Sequence, residues 1–117
     1  MWAEYDNMTV ESENNRYRLH VTGYYGNAGD SFNDDHPEYG PNGKSNGMQF
    51  STFDIDNDEY GSGNCAAYYQ SGWWYRSCTM SRLNGNPFWY STLIGDLIPI
   101  SASRMMLQCG DYHSVAR

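Results

Sequence analysis

The feature that most constrains the fold of this chain is a run of alternating carboxylates that leads into a glycine-rich turn. Residues 54–65 read DIDNDEYGSGNC, with aspartate at every second position before two glycines. Hard cations such as Ca²⁺ take six to eight oxygen ligands, and a short acidic loop supplies them from side chains and backbone carbonyls. Glycine lets the chain curl so that these carbonyls point inward. The segment is therefore a candidate calcium loop.

The acidic run does not match an EF-hand in either register. A loop that begins at Asp54 places Glu59 where glycine is required, and one that begins at Asp56 places Tyr60 and Ala67 on ligand positions. Spacing alone leaves two interpretations open. One is an ion site of another kind, and the other is a solvated acidic turn.

Five segments around the acidic run form a distinctive set: FSTFDIDND at 50–58, GNCA at 63–66, GWWY at 72–75, Cys78, and LNG at 83–85. Together they resemble the fibrinogen C-terminal-like domain, the family of the ficolins, tachylectins, angiopoietins and tenascin ends. The resemblance covers about residues 2–95. Upstream, residues 17–24 and 26–32 fit the central sheet of that family.

The resemblance implies an α+β fold, with a central antiparallel sheet, short helices and a loop-rich, disulfide-closed calcium-binding subdomain. We predict one partial domain over residues 1–117: the sheet part at about 1–53, the calcium and pocket subdomain at 54–95, and a divergent tail at 96–117. The family's N-terminal subdomain has no counterpart here, and the loop after Asn84-Gly85 is short. We therefore interpret the sequence as incomplete or in need of a partner.

Local patterns add three expectations about secondary structure. Tyr17, Leu19 and Val21 alternate with polar residues, which predicts a strand that is buried on one face. Residues 77–83 are predicted to form a short helix. Residues 88–92 resemble a late strand of the family, and residues 103–108 are candidates for the final strand.

The resemblance implies a calcium site whose carboxylates are Asp56 and Asp58. The two carbonyl ligands map to Tyr60 and Ser62. The spacing from Asp58 to the next cysteine is one residue longer than in the family, as if Gly61 were inserted. Two outcomes follow from this difference, a working Ca²⁺ site or a site that the insertion has broken.

A recognition pocket beside the ion is also implied, together with a disulfide between Cys65 and Cys78. Its floor would include a cis peptide at Ser77–Cys78, followed by Thr79 where the family usually has histidine. Tyr69 and Trp74 are the candidate aromatic wall, and at least one of Trp73 and Trp74 is predicted to lie in the core. Because the loop after Gly85 is short, the pocket is expected to hold a ligand on one side only.

The glycine- and aspartate-rich segment from Gly23 to Gly47 has no hydrophobic periodicity. A structureless stretch of this length is usually functional or mobile. A second metal site can be drawn from Asp34, Asp35 and His36, but neighbouring loop residues rarely converge on one ion. The simpler interpretation is a solvated insertion.

Charge and apolar patterning limit the classes of partner and the compartment. A formal net charge of −7 argues against nucleic acid and anionic membranes, and no apolar run is long enough to insert into a membrane. No signal peptide is visible at Met1. The cysteines and the resemblance nevertheless predict a secreted, extracellular protein.

Asn7 begins an N-glycosylation sequon. Cys109 leaves two possibilities open, a homo-oligomer through intermolecular pairing or a free thiol.

These features predict a secreted, calcium-dependent recognition module with lectin-like binding of acetylated glycans, or with a protein ligand. The alternative is a structural or oligomerisation relic of the same family that has lost its pocket. We do not expect an enzyme, because His20, His36 and His113 have no partner motif for a nucleophile.

Overall fold

The computed structural model describes residues 1–108 and shows an α+β fold of two small antiparallel sheets, one short helix and long loops. This fold class confirms the prediction, although the strands are divided between two sheets. The first sheet contains β1 (Ala3–Val10) and β2 (Leu19–Gly26), and the second contains β3 (Ser81–Arg82), β4 (Phe88–Ser91) and β5 (Asp96–Ile98). The helix is α1 (Cys65–Tyr69), and single 3-10 turns occupy Glu13–Asn15 and Pro41–Gly43.

The two long strands form a hairpin whose register runs from Ala3 opposite Gly26 to Val10 opposite Leu19. The predicted alternation is present, because Leu19 and Val21 are fully buried. The expectation that Tyr17 belongs to this strand was wrong. Tyr17 has a positive φ of 58° and lies in the turn that precedes β2. Its carbonyl accepts a hydrogen bond from the indole of Trp74 at 2.8 Å, which fixes the turn against the core.

The core is built largely from aromatic rings, with Phe32 at its centre. The centroids of Tyr5 and Trp89 lie 5.3 Å from that of Phe32, and that of Trp73 lies 6.0 Å away. Buried Tyr and Trp side chains need hydrogen-bond partners for their polar atoms. The Trp89 indole donates to the carbonyl of Ala28, and the Tyr5 hydroxyl donates to the carboxylate of Asp30 at 2.7 Å.

Helix α1 connects the acidic loop to the rest of the fold. Asn64 caps it, because its side-chain oxygen accepts the N–H of Ala67 at 3.1 Å. The helix ends at Tyr69, and the next residue, Gln70, adopts a left-handed conformation. The first helical residue, Cys65, forms the predicted disulfide with Cys78. The helix therefore ties the acidic loop covalently to the segment that precedes β3.

The predicted helix over residues 77–83 is wrong, because this segment consists of bends followed by the two residues of β3. Its N–H groups bind the neighbouring 3-10 turn instead of helical carbonyls. Ser77 donates to the carbonyl of Asn42 at 2.9 Å, and Met80 donates to that of Gly43 at 3.2 Å. Arg82 then pairs with Phe88 at the start of β4.

The expectations for the C-terminal part have mixed outcomes. The predicted late strand is present as β4 at Phe88–Ser91. Residues 103–108 are exposed and contain no strand, so that expectation was wrong. Cys109 and the rest of the tail lie outside the described residues, and the division of the sequence into three parts remains a prediction. No helix within residues 1–108 is long and apolar enough to cross a bilayer.

Candidate functional site

A cavity of about 670 Å³ opens between the long loop after β2, the segment before β3, and the β4–β5 hairpin. Four of the five residues predicted for the pocket line it, namely Tyr69, Ser77, Cys78 and Thr79. Sequence reasoning missed the other lining residues. These are His36, Tyr39, Asn42, Gly43, Met80, Phe88, Tyr90, Asp96 and Leu97.

The floor of the cavity is the segment that contains the predicted cis peptide, Ser77–Cys78. The N–H of Ser77 is bound to the carbonyl of Asn42. Thr79 uses its hydroxyl in a local turn, where it donates to the carbonyl of Ser81 at 2.6 Å. Among the hydrogen bonds of residues 1–108, none has the N–H of Cys78 or Thr79 as its donor. Two backbone donors at the floor are therefore available to a ligand.

The first wall of the cavity consists of Tyr69 and Phe88, whose ring centroids lie 5.6 Å apart. Tyr69 also stacks on Tyr75 at 5.7 Å with an interplanar angle of 8°. Burial raises the pKa of the Tyr69 phenol, and the neighbouring Tyr68 and Tyr75 raise it further. The phenol therefore stays neutral at physiological pH, and its polar end can donate a hydrogen bond.

Arg82 supports this first wall from behind. Its guanidinium lies 5.3 Å from the ring centroid of Tyr69 and 5.4 Å from that of Phe88. The side chain is only 4% exposed and donates to the Tyr69 carbonyl at 2.7 Å and to the Ser71 hydroxyl at 2.8 Å. The Asn86 carbonyl accepts a further hydrogen bond. A buried arginine held by these acceptors fixes the positions of both rings.

Trp74, the fifth residue predicted for the pocket, does not line the cavity. Its ring packs against Phe50 and Trp73, with both centroid distances at 5.2 Å, and its indole N–H is bound to Tyr17. Trp73 is 1% exposed, so the expectation that at least one of the two tryptophans is a core residue is confirmed.

A second aromatic group also lines the cavity and is called here the second wall; it consists of His36 and Tyr39 of the long loop and Tyr90 of β4. The His36 ring centroid lies 4.6 Å from that of Tyr39 and 4.5 Å from that of Tyr90. The prediction of a pocket with one wall was therefore wrong. His36 and Tyr39 come from the segment between Gly23 and Gly47, and the unusual length of that segment was the only signal for them in the sequence.

The three residues that were considered as a second metal site each have a different hydrogen-bond or ion-pair partner. Asp34 accepts a hydrogen bond from the Thr92 hydroxyl, and Asp35 pairs with Lys44 at 2.7 Å. Nδ1 of His36 accepts the N–H groups of Glu38 and Tyr39. Within residues 1–108, no group of three or more His, Cys, Asp and Glu side chains is arranged to hold a metal ion.

The acidic loop places the carboxylates of Asp56 and Asp58 close together. Burial raises the pKa of the Asp58 carboxyl, and the neighbouring Asp56 carboxylate raises it further. The N–H groups of Cys65 and Tyr60, at 2.9 and 2.8 Å, act in the opposite direction. Asp54 accepts a hydrogen bond from the Thr52 hydroxyl at 2.7 Å.

The paired carboxylates of Asp56 and Asp58 are chemically suited to a hard cation. Two like charges side by side repel, and a cation between them removes that repulsion. The Tyr60 carbonyl already accepts the N–H of Gly63 at 3.2 Å but retains a second lone pair. Ser62 is exposed, and a side chain at Gly61 would meet no atom within 4 Å, so the inserted residue lies in open space. Asp56 and Asp58 remain the carboxylates that could hold Ca²⁺, with Tyr60 and Ser62 as the candidate carbonyl ligands, and the calcium site stays a prediction.

Arg76 links the acidic loop to the cavity floor, a role that sequence reasoning missed. Its carbonyl accepts the N–H of Glu59 at 2.7 Å, and its own N–H donates to the carbonyl of Cys78 at 2.6 Å. Its guanidinium binds the carbonyls of Lys44 and Asn46 at 2.9 and 2.8 Å, and pairs with Glu59 at 3.3 Å. Arg76 therefore connects the acidic loop directly to the cavity floor.

The glycosylation sequon lies on β1, away from the cavity. Asn7 is exposed and pairs with Thr22 of β2, and Thr9 is also exposed. The side chain is therefore accessible to a glycan, and its modification remains a prediction.

Comparison with known proteins places these features in a family context. Residues 1–96 match the model of the C-terminal globular domain of fibrinogen beta and gamma chains. Angiopoietin-related protein 6 of Mus musculus is 44% identical over 88 residues, which are 75% of this chain and 16% of that protein. Fibrinogen-like protein 1 of Bos taurus is 47% identical over 85 residues, which are 72% of this chain and 27% of that protein.

Solved structures give a consistent result. The fibrinogen-like globe domain of human ANGPTL6 aligns with a TM-score of 0.58 and 43% identity, over 71% of this chain and 32% of that one. The lamprey fibrin D-dimer, solved in complex with the peptide Gly-His-Arg-Pro-amide, aligns with a TM-score of 0.65 and 36% identity, over 71% of this chain and 27% of that one. The protein thus spans less than a third of the length of the curated relatives it matches.

Proposed function

Because this protein belongs to the family of the C-terminal globular domains found in fibrinogen beta and gamma chains, we propose that it is an extracellular recognition domain. Its cavity is proposed to bind acylated ligands, with acetylated glycans as the first candidates. The observation that carries the proposal is the cavity floor, where the N–H groups of Cys78 and Thr79 make no hydrogen bond within the described residues. Mostly apolar walls with a few placed polar groups are typical of ligand sites.

An acetyl group suits this arrangement on both of its sides. Its carbonyl oxygen accepts hydrogen bonds from backbone N–H groups, and its methyl group packs against aromatic rings such as Tyr69 and Phe88. A pocket that buries polar donors discriminates strongly against ligands that lack the matching acceptor, because the donors are then desolvated without a partner. The acyl oxygen is therefore the ligand atom on which binding depends.

We predict that N-acetylglucosamine binds the protein and that glucose does not. In a titration followed by ¹H–¹⁵N correlation spectra, the amide signals of Cys78 and Thr79 are expected to shift with N-acetylglucosamine in a saturable way. Glucose is the matched control, since it has the same ring without the acyl group. Equal shifts with both sugars, or none with either, would contradict acyl recognition and favour the relic.

A protein ligand is the second candidate. Its support is the fibrin structure in complex with a tetrapeptide, which shares this fold at 36% identity. The carbonyls of a peptide offer the same acceptor as an acetyl group. Displacement of N-acetylglucosamine by Gly-His-Arg-Pro-amide in the same titration would favour a peptide ligand over a glycan.

We also propose that Ca²⁺ binds the acidic loop through Asp56 and Asp58. Bound Ca²⁺ supplies a fixed positive charge that neutralises the carboxylate pair. Because Glu59 of this loop is bound to Arg76, and Arg76 to Cys78, an ordered loop supports the cavity floor. We propose no catalytic role for the cavity's histidine, His36, because its Nδ1 already accepts two backbone N–H groups.

We predict that Ca²⁺ raises the melting temperature of the oxidised protein relative to EDTA and that Asp56→Ala abolishes this response. A ligand at a hundred times its dissociation constant contributes about 2.7 kcal/mol to the free energy of unfolding. Asp56 is the better target than Asp58, because Asp58 also accepts the N–H of Cys65 that starts α1. The control is Asp54→Ala, which removes an exposed carboxylate from the same loop and should leave the Ca²⁺ response intact. An unchanged midpoint in a cooperative melt would mean that the extra residue at Gly61 has broken the site.

A further inference from the structure

The loop of residues 34–44 gives the cavity a wall that family resemblance did not predict. We propose that this loop determines which ligands the cavity accepts, by presenting His36 and Tyr39 as a stacking surface for the ring of a neutral N-acetylated sugar. The inference rests on the proposed function and adds to it the residues that recognise the sugar ring.

The rings of the second wall form a continuous aromatic surface. His36 is the central member, since its ring contacts both Tyr39 and Tyr90, at centroid distances of 4.6 and 4.5 Å. Tyr69 and Phe88 of the first wall line the same cavity. A carbohydrate ring has an apolar face of C–H groups that packs well on aromatic rings, whereas its acetamido group needs hydrogen-bond donors. The second wall offers the aromatic packing surface, and the N–H groups of the floor offer the donors.

The loop is held in place by contacts at its tip and at both ends. His36 and Gly40 exchange two backbone hydrogen bonds, each of 2.9 Å. Asp35 pairs with Lys44 at 2.7 Å across the base of the loop. The carbonyls of Asn42 and Gly43 bind the cavity floor. A wall that is already ordered adds little entropic cost to binding.

His36 also offers a hydrogen-bond donor within the second wall. Because Nδ1 accepts the N–H groups of Glu38 and Tyr39, the hydrogen of the neutral ring lies on Nε2. Within residues 1–108, Nε2 of His36 makes no hydrogen bond. A donor beside an aromatic surface suits a sugar hydroxyl, which accepts hydrogen bonds at its oxygen.

The charges around the cavity disfavour anionic sugars. Asp96 is the one carboxylate among the lining residues of the described part of the molecule. The cation of the loop, Lys44, is paired with Asp35, and Arg82 is buried behind the first wall and is not a lining residue. With a formal net charge of −7 for the whole protein, the cavity should repel a carboxylated sugar.

The test compares three probes on the unmodified protein and on Tyr39→Ala, by the same amide titration. N-acetylglucosamine carries ring and acyl group, N-methylacetamide carries the acyl group alone, and N-acetylneuraminic acid adds a carboxylate. Tyr39 is 64% exposed, so its truncation should leave the fold intact. We expect Tyr39→Ala to weaken N-acetylglucosamine binding about five- to tenfold and to leave N-methylacetamide binding unchanged.

N-acetylneuraminic acid should bind the unmodified protein about tenfold more weakly than N-acetylglucosamine, and Asp96→Asn should narrow that gap.

The matched control is Tyr25→Ala, which removes a tyrosine that is 67% exposed on β2 and does not line the cavity. If Tyr39→Ala binds N-acetylglucosamine as tightly as the unmodified protein does, the role of the loop is refuted while acyl recognition stands. N-acetylneuraminic acid that binds as tightly as N-acetylglucosamine would refute the selection by charge. If neither N-acetylglucosamine nor N-methylacetamide binds the unmodified protein, the proposed function fails, and the inference fails with it.

Discussion

Replacing Trp73 with alanine is expected to lower the free energy of unfolding by about 3–5 kcal/mol, as truncation of a fully buried tryptophan usually does. Small domains are stable by only about 5–15 kcal/mol in total. The variant should therefore be close to unfolding at room temperature.

The size of the effect follows from the position of Trp73. The side chain is 1% exposed and contacts Phe32 in the central aromatic cluster. Its backbone exchanges hydrogen bonds of 2.9 and 3.2 Å with Ser51, so Trp73 also joins the segment that precedes the acidic loop to the core. The surrounding rings are rigid and cannot collapse into the space that truncation would leave.

Trp74→Ala is the matched control, since it truncates the same residue type at the next position. Trp74 is only partly buried and should cost less, although it loses the hydrogen bond to Tyr17. Urea unfolding followed by far-UV circular dichroism gives both values on the same scale. If Trp73→Ala costs no more than Trp74→Ala, the assignment of Trp73 to the core is wrong.

A third variant examines the indole N–H of Trp73, which is buried without a hydrogen-bond partner in the described part of the molecule. Trp73→Phe removes this donor together with part of the ring. Its cost should therefore be lower than that of Trp89→Phe, which removes an N–H bound to the carbonyls of Ala28 and Gly29.

Short-range patterns predicted the parts of the fold whose reasons lie within a few residues. Alternation indicated that Leu19 and Val21 are buried, since each strand residue points to the face opposite its neighbour. Family resemblance correctly supplied the Cys65–Cys78 disulfide and the cis peptide at Ser77–Cys78. The start of β2 was misplaced because the positive φ of Tyr17 depends on a turn and on a distant tryptophan.

The candidate site was only half predictable for the same reason. The floor is close in sequence to the motif segments, so Ser77, Cys78 and Thr79 were found. The second wall brings His36 beside Tyr90, which is far away in the sequence, through a ring contact that leaves no periodic signal. The incorrect helix at 77–83 has a similar origin, because the competing hydrogen-bond partners are the carbonyls of Asn42 and Gly43 in a distant turn.

Removal of the disulfide is the second change with a large expected effect. On the chain-entropy model, a bridge that closes a loop of this length, with a sequence separation of 13, contributes about 3 kcal/mol by restricting the unfolded state. The bridge also joins the first residue of α1 to the cavity floor, because Cys65 begins the helix and Cys78 lines the cavity. Its loss should therefore weaken ligand binding as well as stability.

The measurement should be made on a Cys109→Ser background, so that no third thiol can exchange with the pair. In that background, Cys65→Ser combined with Cys78→Ser is expected to lower the free energy of unfolding by about 3 kcal/mol in urea. Chemical reduction of the Cys109→Ser protein should produce the same loss, since it opens the same loop without changing side-chain volume. If reduction is much less costly than the double substitution, the serines act by disturbing the packing around Cys65, which is fully buried. If both changes cost less than about 1 kcal/mol, the bridge does not restrict the unfolded state, and the stability of the floor comes from Arg76 and its carbonyl partners instead.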